Sequence, residues 1–193
     1  MKVYKLVLLG DAAVGKTAFI GRLLDGSYPE KYEPTVGVDL TPLTFRTNRG
    51  DIHFMVWDIA GQEMLAGLGD GYCIQADCAI IMFGLNSRKS FAICEKWHRD
   101  LMRICSQIPV VICKNRDMVI MDDRRMRNNQ SFFGRKLNLV NYEISVKLNF
   151  NLEKPFLYLA RKLLNDPKLN LIQNPGPPKE IKVEGDLTPA MEL

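Results

Sequence analysis

The residues most able to do chemistry lie near the N-terminus. Residues 10–17 (GDAAVGKT) match the pattern GxxxxGK[ST], in which glycines let the backbone curl around phosphate oxygens. A helix that starts there points unpaired N–H groups at the same oxygens. Lys16 adds a positive charge for the β- and γ-phosphates, and the Thr17 hydroxyl is a ligand that Mg²⁺ accepts. The alternative, a glycine turn with an incidental lysine, is disfavoured because a strand is predicted before the pattern and a helix after it. The sequence therefore predicts a phosphate-binding loop (P-loop).

A second group of polar residues follows a later predicted strand at residues 58–62 (DIAGQ). The Asp58 carboxylate can hold Mg²⁺ through a water, the Gly61 N–H can meet a γ-phosphate, and Gln62 can orient an attacking water. Thr35, in the polar stretch 28–37, offers a hydroxyl to the same metal. A DxxG pattern alone is weak, but the upstream P-loop strengthens it. Two loops ordered by a third phosphate would form an order–disorder switch.

Two further loops are placed where a nucleotide base would be bound. Residues 115–117 (NRD) follow one predicted strand, and residues 145–147 (SVK) follow another. Asn115 can brace its loop and meet the base edge, and the aliphatic stems of Arg116 and Lys147 can sandwich the base. Either loop alone would equally suit an ordinary solvated loop. The order of the motifs along the chain is what favours base recognition.

Hydrophobic periodicity indicates the elements that must position these residues. Strands that alternate with helices predict an α/β fold, a mostly parallel sheet with helices on both faces. Strands are predicted at 3–9, 40–47, 52–59, 78–83, 108–113 and 142–146, and helices at 16–24, 90–105 and 152–164. We expect one domain over residues 1–166. Residues 167–193 hold half of the ten prolines and are expected to form a mobile tail.

Composition excludes several classes of protein. Hydrophobic residues make up 47% and charged residues 25% of the 193, which is typical of a globular domain and not of a disordered or coiled-coil chain. The net charge of +4 is spread along the chain, so no direct nucleic-acid binding is expected. The five cysteines show no CxxC spacing, which disfavours a zinc site or a disulfide framework. We also expect no membrane span, because no apolar run approaches about 18 residues.

Residues 3–166 resemble the small GTPases of the Ras superfamily and, within it, the Ran family. The resemblance rests on the motifs above and on more specific stretches: 4–8 (YKLVL), 47–50 (TNRG), 56–62 (VWDIAGQ), 70–72 (DGY), 74–76 (IQA), 78–83 (CAIIMF), 97–101 (WHRDL), 153–156 (EKPF) and 159–163 (LARKL). The last residues, AMEL, contain no cysteine for prenylation, and Lys2 stands where a myristoylated chain has glycine. This agrees with the resemblance, since the Ran family carries no membrane anchor.

The resemblance implies a GTP/GDP-binding switch in nucleocytoplasmic transport, with Gln62 as the catalytic residue and Mg²⁺ held by Thr17, Thr35 and Asp58. It implies a monomer in the nucleus and the cytoplasm that binds importin-β-type transport receptors, a guanine-nucleotide exchange factor and a GTPase-activating protein. The implied nucleotide-binding residues are Asp11, Ala12, Ala13, Val14, Gly15, Lys16, Thr17, Ala18, Glu30, Lys31, Tyr32, Thr35, Gly61, Asn115, Arg116, Asp117, Ser145, Val146 and Lys147.

The sequence departs from the family pattern at several functional positions, two of which bear on base recognition and hydrolysis. The guanine-reading motif is Asn-Lys-x-Asp, but here Met118 takes the place of the aspartate and Asp117 precedes it. Ala12 and Ala13 replace a glycine pair, and the Ala12 methyl is expected to crowd the γ-phosphate and slow hydrolysis. Two hypotheses stay open: a working GTPase, and a diverged, non-cycling binding module with weakened guanine recognition. A P-loop enzyme that uses ATP is disfavoured because the domain has no room for a substrate site.

Overall fold

The structure, a computed structural model, describes residues 2–62, 70–85, 88–116 and 139–172, with the backbone alone at 88–92. Six strands form one sheet in the order β2-β3-β1-β4-β5-β6, and every neighbouring pair is parallel except β2 with β3. The strands are β1 (Val3–Gly10), β2 (Val38–Thr47), β3 (Gly50–Ile59), β4 (Cys78–Gly84), β5 (Val110–Asn115) and β6 (Val140–Ile144). The helices of these ranges are α1 (Lys16–Leu24), α2 (Asp70–Cys73), α3 (Arg88–Ile104) and α4 (Lys154–Leu163). The predicted α/β fold is confirmed.

The predicted elements are all present, but most of their limits differ from the prediction by one or two residues. Three of these differences have local reasons. β5 begins at Val110 and not at residue 108, because Pro109 has no N–H to donate to a ladder. β6 ends at Ile144, where a prediction that extends it to residue 146 is wrong. Ser145 leaves the sheet and exchanges two backbone hydrogen bonds with Phe150 (3.0 and 2.9 Å). α4 begins at Lys154, since Pro155 favours the first helical turn.

The core has two layers, one on each face of the sheet. The successive side chains of β1 point to opposite faces, Leu6 and Leu8 to one and Val7 and Leu9 to the other. Because a core layer covers each face, β1 is buried along nearly its whole length. This explains why the strand is one continuous apolar run in the sequence. Within the described ranges, no helix is both long and apolar enough to cross a bilayer.

The chain after α4 packs against the β2–β3 hairpin. The Asp166 carboxylate accepts a hydrogen bond from Arg49 Nε (2.9 Å), and Leu169 is fully buried. Leu171 forms an antiparallel bridge with Thr47. The division at residue 166 stays a prediction, and the structure adds that residues 167–172 pack against the domain.

The core layer that contains Leu6 and Leu8 is built around one aromatic cluster. Phe156 on α4 is 1% exposed and stacks on Phe45 of β2 with their ring centroids 4.8 Å apart. Phe19 and Phe54 each lie 5.7 Å from the same ring. We expect Phe156→Ala to lower the free energy of unfolding by about 3–5 kcal/mol, because it removes a buried aromatic side chain and leaves a cavity. Urea unfolding measures the change.

The matched control is Phe150→Ala, since the Phe150 side chain is 55% exposed. It should change the free energy of unfolding by less than about 0.5 kcal/mol. Similar losses in the two variants would contradict the assigned core.

Candidate functional site

A cleft of about 500 Å³ lies where β1 and β3 end. β1 stands between β3 and β4, so the strands that follow it in the chain are added first on one side of it and then on the other. Such a reversal of strand order leaves a crevice at the carboxyl ends of the strands. We call this crevice the P-loop cleft. It is lined by Ala12, Ala13, Gly15, Lys16, Thr17, Ala18, Pro29, Glu30, Lys31, Tyr32, Glu33, Pro34, Thr35, Ala60, Gly61 and Gln62. The fold thus brings together twelve of the residues predicted from sequence to hold a nucleotide or to catalyse.

The two glycines of the P-loop pattern are required by close backbone packing. A Cβ atom on Gly10 would lie 2.5 Å from the Met82 carbonyl oxygen. Gly15 has φ +93°, and its Cβ would lie 2.8 Å from Asn115 Nδ2. α1 begins directly after Gly15, so its first N–H groups face the cleft. Ala13 also adopts a left-handed conformation, with φ +59°, which is strained for a residue with a side chain.

Lys16 is buried inside the loop, with 7% of its surface exposed. Its Nζ donates to the carbonyl oxygens of Gly10 (2.8 Å) and Asp11 (3.1 Å). Burial lowers the pKa of the Lys16 ammonium, and the carboxylates of Asp58 and Asp11 partly offset this effect. The loop therefore holds a desolvated cation beside its N–H groups, which favours an anionic ligand such as a phosphate.

Three oxygen-bearing side chains meet at the floor of the cleft. Thr17 Oγ1 lies 2.8 Å from Thr35 Oγ1 and donates to Asp58 Oδ2 at 2.5 Å. Asp58 is 2% exposed, and its Oδ1 is buried without a hydrogen-bond partner among the described residues. Burial raises the pKa of the Asp58 carboxyl, while the Thr17 hydrogen bond and the Lys16 charge lower it.

This set of hard oxygen donors fits Mg²⁺, which prefers oxygen ligands and keeps several waters. The unpartnered Oδ1 supports the assignment, since a buried carboxylate oxygen needs a compensating cation or donor. Thr17, Thr35 and Asp58 are the residues that would hold the ion, the first two by their hydroxyls. When bound, the ion would supply positive charge beside the phosphates.

The segment after β3 lies directly on the P-loop. A Cβ atom on Gly61 would lie 2.6 Å from the Ala12 nitrogen, so only glycine allows this approach. The Ala60 N–H donates to the Gly37 carbonyl (2.9 Å), which joins the segment to the stretch that contains Thr35. Gln62 is exposed at the border of the cleft. Ala12, Gly61 and Gln62 thus all line the cleft, and Gly61 lies against the Ala12 backbone.

The residues predicted to bind a base form a second cluster beside the cleft. Asn115 is buried, donates from Nδ2 to the Val14 carbonyl (3.1 Å) and accepts at Oδ1 from the Val146 N–H (3.1 Å). One amide side chain therefore joins the P-loop to the loop after β6. The Val146 side chain packs in the core, whereas Lys147 is exposed.

Other predicted residues of this region have separate positions. Ser145 is buried, and its Oγ accepts from the Leu148 N–H (3.2 Å). Arg116 is exposed and pairs with Glu143 (3.3 Å). The Asp11 carboxylate accepts from the Ala12 N–H (2.9 Å). Asp117 and Met118 lie outside the described residues.

Sequence reasoning missed two residues at this second cluster. Arg22 of α1 donates from Nη2 to the Lys147 carbonyl (3.2 Å). The Tyr28 ring, 40% exposed, lies 6.0 Å from Arg22 Cζ. An aromatic residue in the polar stretch 28–37 was the available signal for Tyr28. No local pattern pointed to Arg22, because its contact spans 125 positions.

A P-loop at the reversal point of a parallel sheet, with a buried lysine and a magnesium-type oxygen set, defines a P-loop nucleotide-binding domain. A model of the Ras family matches residues 5–165. The chain belongs to the Ras family, whose small GTPase domains bind guanine nucleotide with Mg²⁺ and hydrolyse GTP.

The strain at Ala13 gives a test of the P-loop backbone. Ala13→Gly should raise the free energy of unfolding by about 0.5–1 kcal/mol, because glycine adopts a positive φ without a Cβ clash. Ala12→Gly is the matched control. The described residues with positive φ do not include Ala12, so the substitution adds only chain entropy and should lower the value by about 0.4–1 kcal/mol. Thermal or urea unfolding measures both, and equal signs would contradict the assigned conformation.

The buried carboxyl gives a test by pH. Because the folded-state pKa of Asp58 is raised, its protonated form favours folding, and this contribution is lost as pH rises from 3.8 through the folded pKa. In metal-free protein, Asp58→Asn should therefore gain stability relative to the unsubstituted chain over that window, and the gain should level off above it. Added Mg²⁺ with nucleotide should stabilise the unsubstituted chain more than the variant. A stability difference that does not change with pH would contradict this assignment.

Proposed function

We propose that this chain is a Ran-like GTPase, a GTP/GDP-dependent switch in nucleocytoplasmic transport that acts in the nucleus and the cytoplasm. The observation that carries the switch is the meeting of Thr17, Thr35 and Asp58. Thr35 lies on the exposed stretch before β2, and its hydroxyl is 2.8 Å from Thr17 Oγ1. The Ran-like stretches, such as residues 56–62 and 97–101, support the finer assignment.

The switch would act through the two segments that border the cleft. Thr35 reaches the metal site from one side, and Gly61 lies on the P-loop from the other. The hydrogen bond between Ala60 and Gly37 already joins the segments, so a γ-phosphate that attracts one of them also restrains the other. Loss of that phosphate on hydrolysis would release both, which is how nucleotide state would change the protein surface.

The surface beside this switch suits a protein partner. Tyr32 at the cleft, Val36 after it and Leu40 in β2 expose 59%, 87% and 53% of their surfaces. Exposed aromatic and aliphatic side chains grouped beside a segment that would change with nucleotide state are typical of binding surfaces. We propose that importin-β-type transport receptors bind here in the GTP state, and that a guanine-nucleotide exchange factor and a GTPase-activating protein drive the cycle.

Hydrolysis is proposed to be slow even though Gln62 is present. Gln62 would orient the attacking water, and the buried Lys16 would stabilise charge on the phosphates. Ala12 and Gln62 both line the cleft, and Gly61 lies against the Ala12 backbone. The Ala12 methyl would therefore reduce the room for the attacking water and the glutamine side chain.

The second candidate is a non-cycling binding module with weakened guanine recognition. The strained φ of +59° at Ala13 favours it, because strain in the P-loop opposes the conformation that holds phosphates. Met118 at the expected aspartate position also favours it, since a charge-assisted pair of hydrogen bonds to guanine would be lost.

Nucleotide selectivity separates the two candidates. The purified protein would be titrated with GTP, GDP, XTP and ATP in the presence of Mg²⁺. A working switch should bind GTP at least about 100-fold more tightly than ATP, equivalent to about 2.7 kcal/mol. Lys16→Ala is the control for phosphate-dependent binding. Equal affinities for GTP and ATP would overturn the proposed switch and favour the binding module.

Hydrolysis and receptor capture complete the test. In single-turnover assays, Ala12→Gly should hydrolyse GTP faster than the unsubstituted chain. GTP-loaded protein, and not GDP-loaded protein, should be retained by an immobilised importin-β-type receptor. Guanine-selective binding without nucleotide-dependent capture would leave a Ras-family switch but overturn its Ran-like assignment.

A further inference from the structure

Arg22 connects two segments of the chain that lie far apart in the sequence. It is a half-buried residue in the last turn of α1. Its Nη1 donates to the Gly26 carbonyl (2.5 Å), and its Nη2 donates to the Lys147 carbonyl (3.2 Å). The guanidinium is planar and holds its donors in a fixed fork, so it keeps the two carbonyls at a defined separation. One side chain therefore joins the turn after α1 to the loop after β6.

The turn on the α1 side leads directly into the P-loop cleft. The Ser27 N–H donates to Asp25 Oδ1 (2.8 Å), which closes a compact turn. Tyr28 follows, with its ring centroid 6.0 Å from Arg22 Cζ, and residues 29–35 then line the cleft. The contacts of Arg22 with this turn therefore hold the point at which the chain enters the cleft.

The loop on the other side carries Lys147, which is predicted from the sequence to bind the base. Two backbone hydrogen bonds between Ser145 and Phe150 (3.0 and 2.9 Å) close this loop. Asn115 of β5 accepts from one of its N–H groups at Oδ1 (3.1 Å), and Arg22 of α1 donates to its Lys147 carbonyl. The position of the loop is therefore set from two elements, and Arg22 provides the contact nearest to the predicted base-binding side chain.

The remaining nitrogen of the guanidinium shows that this bridge has an energetic cost. Arg22 Nε is buried and has no hydrogen-bond partner among the described residues. A buried N–H without a partner lowers the stability of a folded protein, whereas the same group is satisfied in water. The stability of the fold alone therefore does not explain the bridge. Its geometric effect is to hold the Lys147 loop against the entry to the cleft.

We propose that Arg22 is a positioning residue that slows nucleotide release by holding Lys147 beside the base. This role rests on the nucleotide-binding function proposed above. The described contacts of Arg22 are with the turn after α1, Tyr28 and the Lys147 carbonyl, and not with the residues predicted to hold phosphate or metal. Without the bridge, the loop and the turn can separate on the base side. The effect should therefore fall on the dissociation rate.

Release of GDP from the full-length protein with Mg²⁺ tests this role. Arg22→Ala should release a fluorescent GDP analogue about tenfold faster, because two hydrogen bonds from a charged group are lost. Arg22→Lys keeps the charge and can reach one of the two carbonyls, so its rate should be intermediate, and it serves in place of the alanine variant if that variant does not fold. The matched control is Arg99→Ala, at an exposed position of α3, which should change the rate by less than about twofold.

A second substitution separates positioning from a general loss of stability. Lys147→Ala removes the side chain that Arg22 is proposed to position, but it keeps the carbonyl that Arg22 binds. In this background, Arg22→Ala should accelerate GDP release by only about threefold or less, because the two residues act through one contact with the base. A purely structural role would give the same factor with and without the Lys147 side chain.

Two results would overturn the proposal. One is a GDP release rate that is the same in Arg22→Ala and in the unsubstituted chain. The other is an equal acceleration by Arg22→Ala in the two backgrounds. The proposed GTP/GDP switch is judged by a different comparison, the release of GDP against that of ADP from the unsubstituted chain. Equal rates there would contradict the switch and leave the comparison between variants intact, so the two failures are distinguishable.

Discussion

The close approach of the P-loop backbone to its neighbours is the constraint on which the rest of the site depends. Residues 10–15 pass between the Met82 carbonyl of β4, the Asn115 amide of β5 and Gly61 after β3, with no space for a Cβ atom at Gly10, Gly15 or Gly61. The ends of three strands are therefore held against one loop. A change in the position of that loop would alter its contact with Asn115, in the second cluster beside the cleft, and its contact with Gly61, in the segment after β3.

The two buried charges of the site suit one anionic ligand and one cationic ligand. Lys16 and Asp58 are buried, and burial opposes the charged form of each. Within the described residues, Lys16 is compensated by backbone carbonyls, while one Asp58 oxygen has no partner. A phosphate beside the lysine and a cation beside the carboxylate would each relieve a desolvation cost. The same two groups therefore explain why a nucleotide and Mg²⁺ would be expected to bind together and stabilise the fold.

Local patterns in the sequence predicted the fold and the phosphate side of the site well, because these depend on short-range signals. The apolar run of β1 and the GxxxxGK[ST] pattern each lie within about ten residues. The features that escaped prediction depend on distant residues. Examples are the contact of Arg22 with Lys147, the end of β6 at Ile144 and the left-handed backbone at Ala13. None of them is determined by hydrophobic periodicity.

The contact between the hairpin and the last described residues has a consequence for folding during synthesis. Asn48 and Asn170 pair across 122 positions, so the outer corner of the sheet closes only after residue 170 has left the ribosome. Until then β3 is the only strand among the described residues that pairs with β2. A newly made chain would therefore have this edge open during the minutes or seconds of its synthesis, and that interval is when pairing with another nascent chain is easiest.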